Sequence, residues 1–245
     1  MNLIERNQIF QKYKNISSLI NGFQKSFFDK DYDSTEDEMF DALKLGAEKN
    51  HESGFSLMIN HKEINSYPKV LFEKLKTLLE VLNTDKLILI SHLKIDFFGN
   101  LEHDYEKVIN AYTELSKITN SKTYKETIET SVSEIEKLVE IFFWLERCDA
   151  SIPEYVFWHD TKERFCFYFC KYGNIHFINF TNEKLMTDTE LINLGFIVNE
   201  DYDQFSLDGS IENRQLKWSD FEDENHNLNI IQRLTAVLRN WGFRV

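Results

Sequence analysis

Proline, glycine and cysteine are all scarce in this sequence, and long apolar runs are missing from it. With 2 prolines and 8 glycines in 245 residues, few positions interrupt regular backbone, so long helices with short connections are expected. The three cysteines are too few to form a disulfide framework, and their number is odd. Such sparse cysteine usage is typical of proteins in a reducing compartment. No stretch of about 18 apolar residues occurs, so the sequence predicts no membrane-spanning helix.

Basic side chains are fewer than acidic ones. The sequence contains 28 Lys and Arg and 41 Asp and Glu, which gives a formal net charge of −13. This balance argues against a nucleic-acid-binding protein, which normally presents a basic surface. An acidic protein suits a basic partner, although the same charge also serves solubility alone. Polar side chains interrupt residues 1–10, which therefore lack the apolar core of a signal peptide, and a cytoplasmic location is expected.

Sequence motifs of common catalytic and metal sites are absent as well. The seven histidines form no H-E-x-x-H or H-x-H pair, and there is no C-x-x-C, G-x-S-x-G or Gly-rich phosphate loop. Cys166 and Cys170 lie on a predicted strand, where four residues span about 13 Å, too far to share one metal ion or a disulfide. We therefore expect no cofactor, no metal site and three free thiols, the third being Cys148.

The apolar residues that are present repeat with helical spacing up to about residue 148. Steps of three and four predict helices over residues 9–27, 34–50, 68–82, 105–115 and 128–145. Residues 54–60 are expected to form a short strand. Residues 86–93 fit a buried strand or a helix segment equally well, because periodicity does not separate the two at this length.

Aromatic residues in alternating positions replace this pattern after Pro153. Residues 155–158, 164–171 and 175–180 are predicted strands, with a turn at residues 172–174. In the second of these, Phe165, Phe167 and Phe169 point one way, and the residues between them point the other. Further short strands are predicted near residues 196–198, 204–207 and 216–218, and a closing helix from about residue 227.

Together these patterns predict an α+β fold. A helical N-terminal region is followed by a mixed region with an antiparallel sheet of at least three strands and a C-terminal helix. The change at residues 149–153 divides the chain into a mostly helical region, 1–150, and an α+β region, 151–245. The two regions are expected either as separate domains or as one integrated domain.

Four residues of catalytic type fall close together in the second region: His159, Asp160, Tyr168 and His176. His159 and Asp160 have the side chains of a base and of a group that orients it, but neighbours on a strand face opposite sides of the sheet. An enzyme assembled from scattered residues is an alternative that spacing does not exclude. A role other than catalysis is the expectation.

The acidic stretch 200–224 is the leading candidate for a binding surface. Aromatic side chains anchor an interface while charges steer association, and this stretch contains both. The candidate partner-binding residues are Glu200, Asp201, Asp203, Trp218, Glu222, Asp223 and Glu224. A second acidic run, at residues 31–41, is interpreted most simply as helix capping and solvation.

These features favour an acidic binding protein that neutralises a basic protein partner. Bacterial immunity proteins, which block a toxin made by the same cell, fit this character, although no family motif supports the assignment. The expected partner is a basic toxin domain, with no direct contact to nucleic acid or membrane. The alternatives are the scattered-residue enzyme and a regulatory adaptor or nucleic-acid mimic.

Overall fold

A computed structural model of the chain describes residues 1–27, 39–41 and 53–205. The strands in these residues are β1 (Asn2–Ile4), β2 (Ser53–Met58), β3 (Lys86–Ser91), β4 (Thr127–Ser131), β5 (Val156–Asp160), β6 (Phe165–Phe169), β7 (Ile175–Asn179) and β8 (Ile197–Val198). The α-helices are α1 (Arg6–Lys12), α2 (Lys14–Phe27), α3 (Tyr67–Val81), α4 (Glu106–Thr119), α5 (Glu136–Cys148) and α6 (Asp188–Asn193).

The strands described above form one antiparallel sheet in the order β1-β4-β3-β5-β6-β7-β2-β8. Helices cover both of its faces. On one face, α1 and α2 pack against Ile88, Ile90 and Phe157, whereas α3, α4 and α5 build a larger core over Leu87 and Leu89 on the other. Side chains alternate along β3, which explains why its residues serve both cores. The predicted α+β class is confirmed.

The antiparallel sheet predicted after Pro153 is also confirmed, since β5, β6 and β7 pair in succession. The undecided segment 86–93 contains strand β3, which pairs with β4 on one side and β5 on the other. The strand expected at residues 54–60 is β2. The cysteines Cys148, Cys166 and Cys170 are free thiols, as expected.

The helix predicted over residues 128–145 is wrong in its first part. Residues Thr127–Ser131 form β4, which pairs with β1 and β3, and a short 3-10 helix, Val132–Glu134, leads into α5. Ile128, on β4, is fully buried in the larger core, and its spacing from the next buried residues resembles the apolar stripe of a helix. The first predicted helix is likewise two helices, because Tyr13 has extended backbone angles (φ −114°, ψ 105°).

Some expectations fall on residues that the structure does not describe. The helix from about residue 227 and the strand at 216–218 lie wholly outside the described ranges. Of the helix at 34–50 only residues 39–41 are described, and of the strand at 204–207 only residues 204 and 205, which lie in a turn. Among the described helices, none is both long and apolar enough to cross a membrane.

Candidate functional site

The β6–β7 hairpin brings Cys170 and His176 to the same face of the sheet. Tyr168 pairs with His176, and beyond β6 the N–H of Cys170 donates to the carbonyl of Asn174 at 3.1 Å. Gly173 closes the turn with φ +81°, a conformation that glycine adopts without steric cost. Since residues two apart on a strand share a face, the side chains of Tyr168, Cys170 and His176 are neighbours.

The third member of the site, Asp201, arrives from the far edge of the sheet. After β8, the N–H of Asn199 donates to the carbonyl of Ser56 at 2.8 Å, and the chain then crosses to the β6–β7 turn. The Oδ1 atom of Asp201 lies 3.7 Å from Cys170 Sγ, and its Oδ2 atom lies 3.6 Å from His176 Nε2. We call Cys170, His176 and Asp201 the three-residue cluster.

Burial and charge set the protonation of Cys170 and Asp201 within the three-residue cluster. Burial, and then the negative charge of Asp201, raise the pKa of the Cys170 thiol to about 12. Contact with His176, and the hydrogen bond from Asn174, lower the pKa of Asp201. At neutral pH the thiol is therefore protonated and the carboxylate ionised. Because the thiolate is the nucleophilic form of cysteine, this arrangement is poorly suited to nucleophilic catalysis.

Two side chains fix the geometry of the three-residue cluster. The ring of Tyr168 stacks on that of His176, with centroids 4.8 Å apart and planes 10° from parallel. The amide nitrogen of Asn174 donates to Asp201 Oδ1 at 2.8 Å. The amide oxygen of Asn174 is buried and accepts no hydrogen bond from the described part of the chain. This oxygen is therefore an available acceptor next to the Asp201 carboxylate.

A buried arginine anchors the chain segment that carries Asp201. Arg147, on α5, donates from Nη1 to Asp203 Oδ1 and to the carbonyl of Lys171, both at 3.1 Å. Its Nη2 atom donates to the carbonyl of Phe205 at 3.3 Å, and its guanidinium lies 5.2 Å from the centre of the Phe205 ring. The segment is therefore fixed on the folded body, and the charge of Asp203 is compensated there.

The candidate partner-binding residues have different environments. Glu200 and Asp201 are exposed, while Asp203 is half-buried against Arg147. The other four, Trp218, Glu222, Asp223 and Glu224, lie outside the described residues. Of the second acidic run, Asp41 is described, and it forms a buried ion pair with Arg6.

His159 and Asp160 face opposite sides of the sheet, as predicted. His159 packs against the ring of Tyr13, with centroids 5.4 Å apart, whereas Asp160 Oδ2 accepts a hydrogen bond from Arg164 Nε at 2.6 Å. Burial lowers the pKa of His159 to about 3, and neither of its ring nitrogens has a hydrogen-bond partner among the described residues. This histidine is therefore a neutral core residue.

Sequence reasoning missed the three-residue cluster because it tested Cys170 against Cys166 and not across the turn. The available signal was Cys-x5-His spanning a predicted hairpin, which places the two side chains diagonally on one face. Asp201 gave no such signal, since its approach depends on the pairing of β8 with β2. No protein-family model, curated protein or solved structure matches this chain.

Proposed function

We propose that this protein binds a basic protein partner and neutralises it, in the manner of a bacterial immunity protein that blocks a toxin made by the same cell. The observation that carries the proposal is the surface formed by Glu200, Asp201 and Tyr202, which we call the acidic segment. All three residues are exposed, and the Tyr202 side chain is among the most exposed large apolar groups of the described chain, at 52%.

The acidic segment is held in place before any partner arrives. Asn174 Nδ2 donates to the carbonyl of Tyr202 at 3.2 Å as well as to Asp201, and Arg147 fixes the following residues through Asp203. On the same stretch, the N–H of His61 donates to Gln204 Oε1 at 3.0 Å. A surface that is already ordered loses less conformational entropy on association, so more of its contact energy is available as affinity.

Charge and aromatic character suit the acidic segment to a basic protein. Carboxylates increase the rate of encounter with a positively charged cleft, and a tyrosine supplies buried contact area with a polar end. The net charge of −13 extends this attraction over the whole molecule. Asp203 acts in this proposal as a support, because its charge is paired with Arg147. Contributions from Trp218 and residues 222–224 remain predictions.

The three-residue cluster favours a second candidate function, an enzyme with a site built from distant parts of the chain. Of the four residues suspected from the sequence, Tyr168 and His176 are in ring contact, and Cys170 and Asp201 join them. The raised pKa of the Cys170 thiol weakens this candidate as a nucleophilic enzyme. The partner-binding proposal therefore ranks first.

Reversing one charge on the acidic segment is expected to slow partner association. In Glu200→Lys, the association rate with a basic protein partner, recovered by pull-down from the native host, should fall several-fold at low salt and converge with the native rate at high salt. In Tyr202→Ala, the dissociation rate should rise by about 30-fold, as for loss of a 2 kcal/mol anchor. Surface-immobilised binding kinetics over a range of salt concentrations measure both effects, and rescue of growth during co-expression reports neutralisation.

The matched control is Glu80→Lys, which reverses an exposed charge near the end of α3. This position lies at the opposite end of β6 from Cys170, since Arg164 contacts the carbonyl of Leu82 there. We expect Glu80→Lys to lower the association rate only slightly, by the same small amount as the reversal of any other surface carboxylate away from the binding surface. Equal effects of Glu200→Lys and Glu80→Lys would reject the acidic segment as the binding surface. Competition of binding by DNA would instead support a nucleic-acid mimic.

A further inference from the structure

We propose that Cys170, His176 and Asp201 form a zinc site with three protein ligands and one coordination position open to solvent. This inference does not depend on the proposed partner binding. The three side chains each offer one ligand atom, and these atoms all lie within 4.8 Å of one another. They come from the end of β6, from β7 and from the segment after β8, so the fold itself creates the cluster.

The distances between the ligand atoms are close to those around a tetrahedral ion. With Zn–S at about 2.3 Å and Zn–N or Zn–O at about 2.0 Å, tetrahedral ligands are separated by about 3.3–3.5 Å. The observed separations are 3.7 Å from Cys170 Sγ to Asp201 Oδ1 and 3.6 Å from His176 Nε2 to Asp201 Oδ2. These two distances end on different oxygens of one carboxylate, and the three ligand atoms all lie within 4.8 Å of one another. Side-chain movements of about 1 Å therefore bring them to tetrahedral spacing.

The ligand chemistry selects zinc over the hard cations. A thiolate with an imidazole is a donor set for zinc and other late transition metals, whereas magnesium and calcium take oxygen ligands. When the Zn–S bond forms, the Cys170 proton passes to solvent, because the metal binds the thiolate and not the thiol. Thiolate and carboxylate together balance the two positive charges of the ion.

Neighbouring groups already hold the ligands as a metal site requires. The Asn174 amide orients the Asp201 carboxylate through its hydrogen bond, and Tyr168 fixes the plane of the His176 ring. Such supporting contacts tune affinity in metal sites. The Asp201 side chain is 38% exposed and Cys170 is partly exposed, so the ion has a path of entry and a fourth position for water. Three protein ligands plus water is the arrangement of zinc sites that act on substrates.

Metal titration of the full-length protein tests this proposal. After treatment with a chelator, the protein is titrated with Zn²⁺ against a chromophoric competitor, and with Co²⁺ as a spectroscopic substitute. We expect one metal ion per chain, a thiolate-to-Co²⁺ charge-transfer band and the intense visible bands of a tetrahedral site. Cys170→Ser and Asp201→Asn should each weaken zinc binding by at least about 100-fold, more than the loss of a typical supporting residue.

Two matched variants identify the ligands. Glu200→Gln removes the neighbouring carboxylate, and Cys166→Ala removes the other thiol of the same strand face; both should bind Zn²⁺ as the native protein does. Circular dichroism of the metal-free variants checks that each one is folded. Sub-stoichiometric binding to the native protein, or a charge-transfer band that persists in folded Cys170→Ser, would overturn the proposal.

Discussion

Replacing Asp41 with alanine should destabilise the protein by about 3–5 kcal/mol, the cost of stranding a buried charge. Arg6 and Asp41 form a bidentate ion pair, in which Nε donates to Oδ1 at 3.0 Å and Nη2 donates to Oδ2 at 2.7 Å. The two side chains are 1% and 3% exposed. In Asp41→Ala the guanidinium keeps its bonds to Ser91 Oγ and the Ser91 carbonyl but loses its counter-charge. Urea unfolding at neutral pH measures the change.

Two controls separate this buried pair from ion pairs in general. Lys117→Ala breaks an exposed pair with Glu114 and should cost no more than about 0.5 kcal/mol. The double variant Arg6→Met with Asp41→Leu removes both charges together, so we expect it to be more stable than Asp41→Ala. If Asp41→Ala lowers the free energy of unfolding no more than Lys117→Ala does, the Arg6–Asp41 pair does not behave as a buried ion pair.

Stability should fall steeply as the pH drops below 6.5, because two histidines are buried in their neutral form. Burial lowers the pKa of both His92 and His159 from 6.5 to about 3. Below pH 6.5 the unfolded chain takes up a proton on each ring and the folded chain does not. The stabilising contribution is therefore complete above pH 6.5 and is lost as the pH falls towards 3, at about 1.4 kcal/mol per pH unit for each histidine.

Between pH 7 and pH 5 the two histidines together should remove about 4 kcal/mol from the free energy of unfolding. The variant His159→Phe isolates one of them. Its ring lies among aromatic neighbours, with centroids 5.4 Å from Tyr13 and 5.8 Å from Phe180, so phenylalanine fits there without stranding a hydrogen bond. We expect unchanged or higher stability at pH 7 and about half the native slope. A full native slope in His159→Phe would show that this histidine is not the titrating group.

The sequence predicted the elements whose patterns are long and locally complete. The helix opened by Pro68 is α3, and the alternating aromatics of residues 164–171 are β6, since each pattern records which side chains face a core. Thr187 and Glu190 form a capping box at the start of α6, a signal that the sequence displayed and our assignment overlooked.

The rest depended on pairing between distant strands. β1 is three residues long, too short for any periodicity, and β4 is a strand because β1 and β3 flank it. The same limit applies to the site. Asp201 and Asp203 were predicted as binding residues because of their charge. In the structure Asp203 pairs with Arg147 on α5, and Asp201 contacts the β6–β7 hairpin. Local composition contains no record of either contact.

The position of β2 in the sheet has a consequence for how the chain acquires its structure during synthesis. β2 lies between β7 and β8, and its paired residues on β7 are more than 110 positions further along the chain. During synthesis, β3 has a partner strand as soon as β4 leaves the ribosome. In contrast, β2 has no partner strand until β7 has been synthesised. Contacts of such high sequence separation slow folding and prolong the exposure of strand edges. The apolar side chains of β2, such as Leu57 and Met58, are therefore where a holding chaperone would be needed longest.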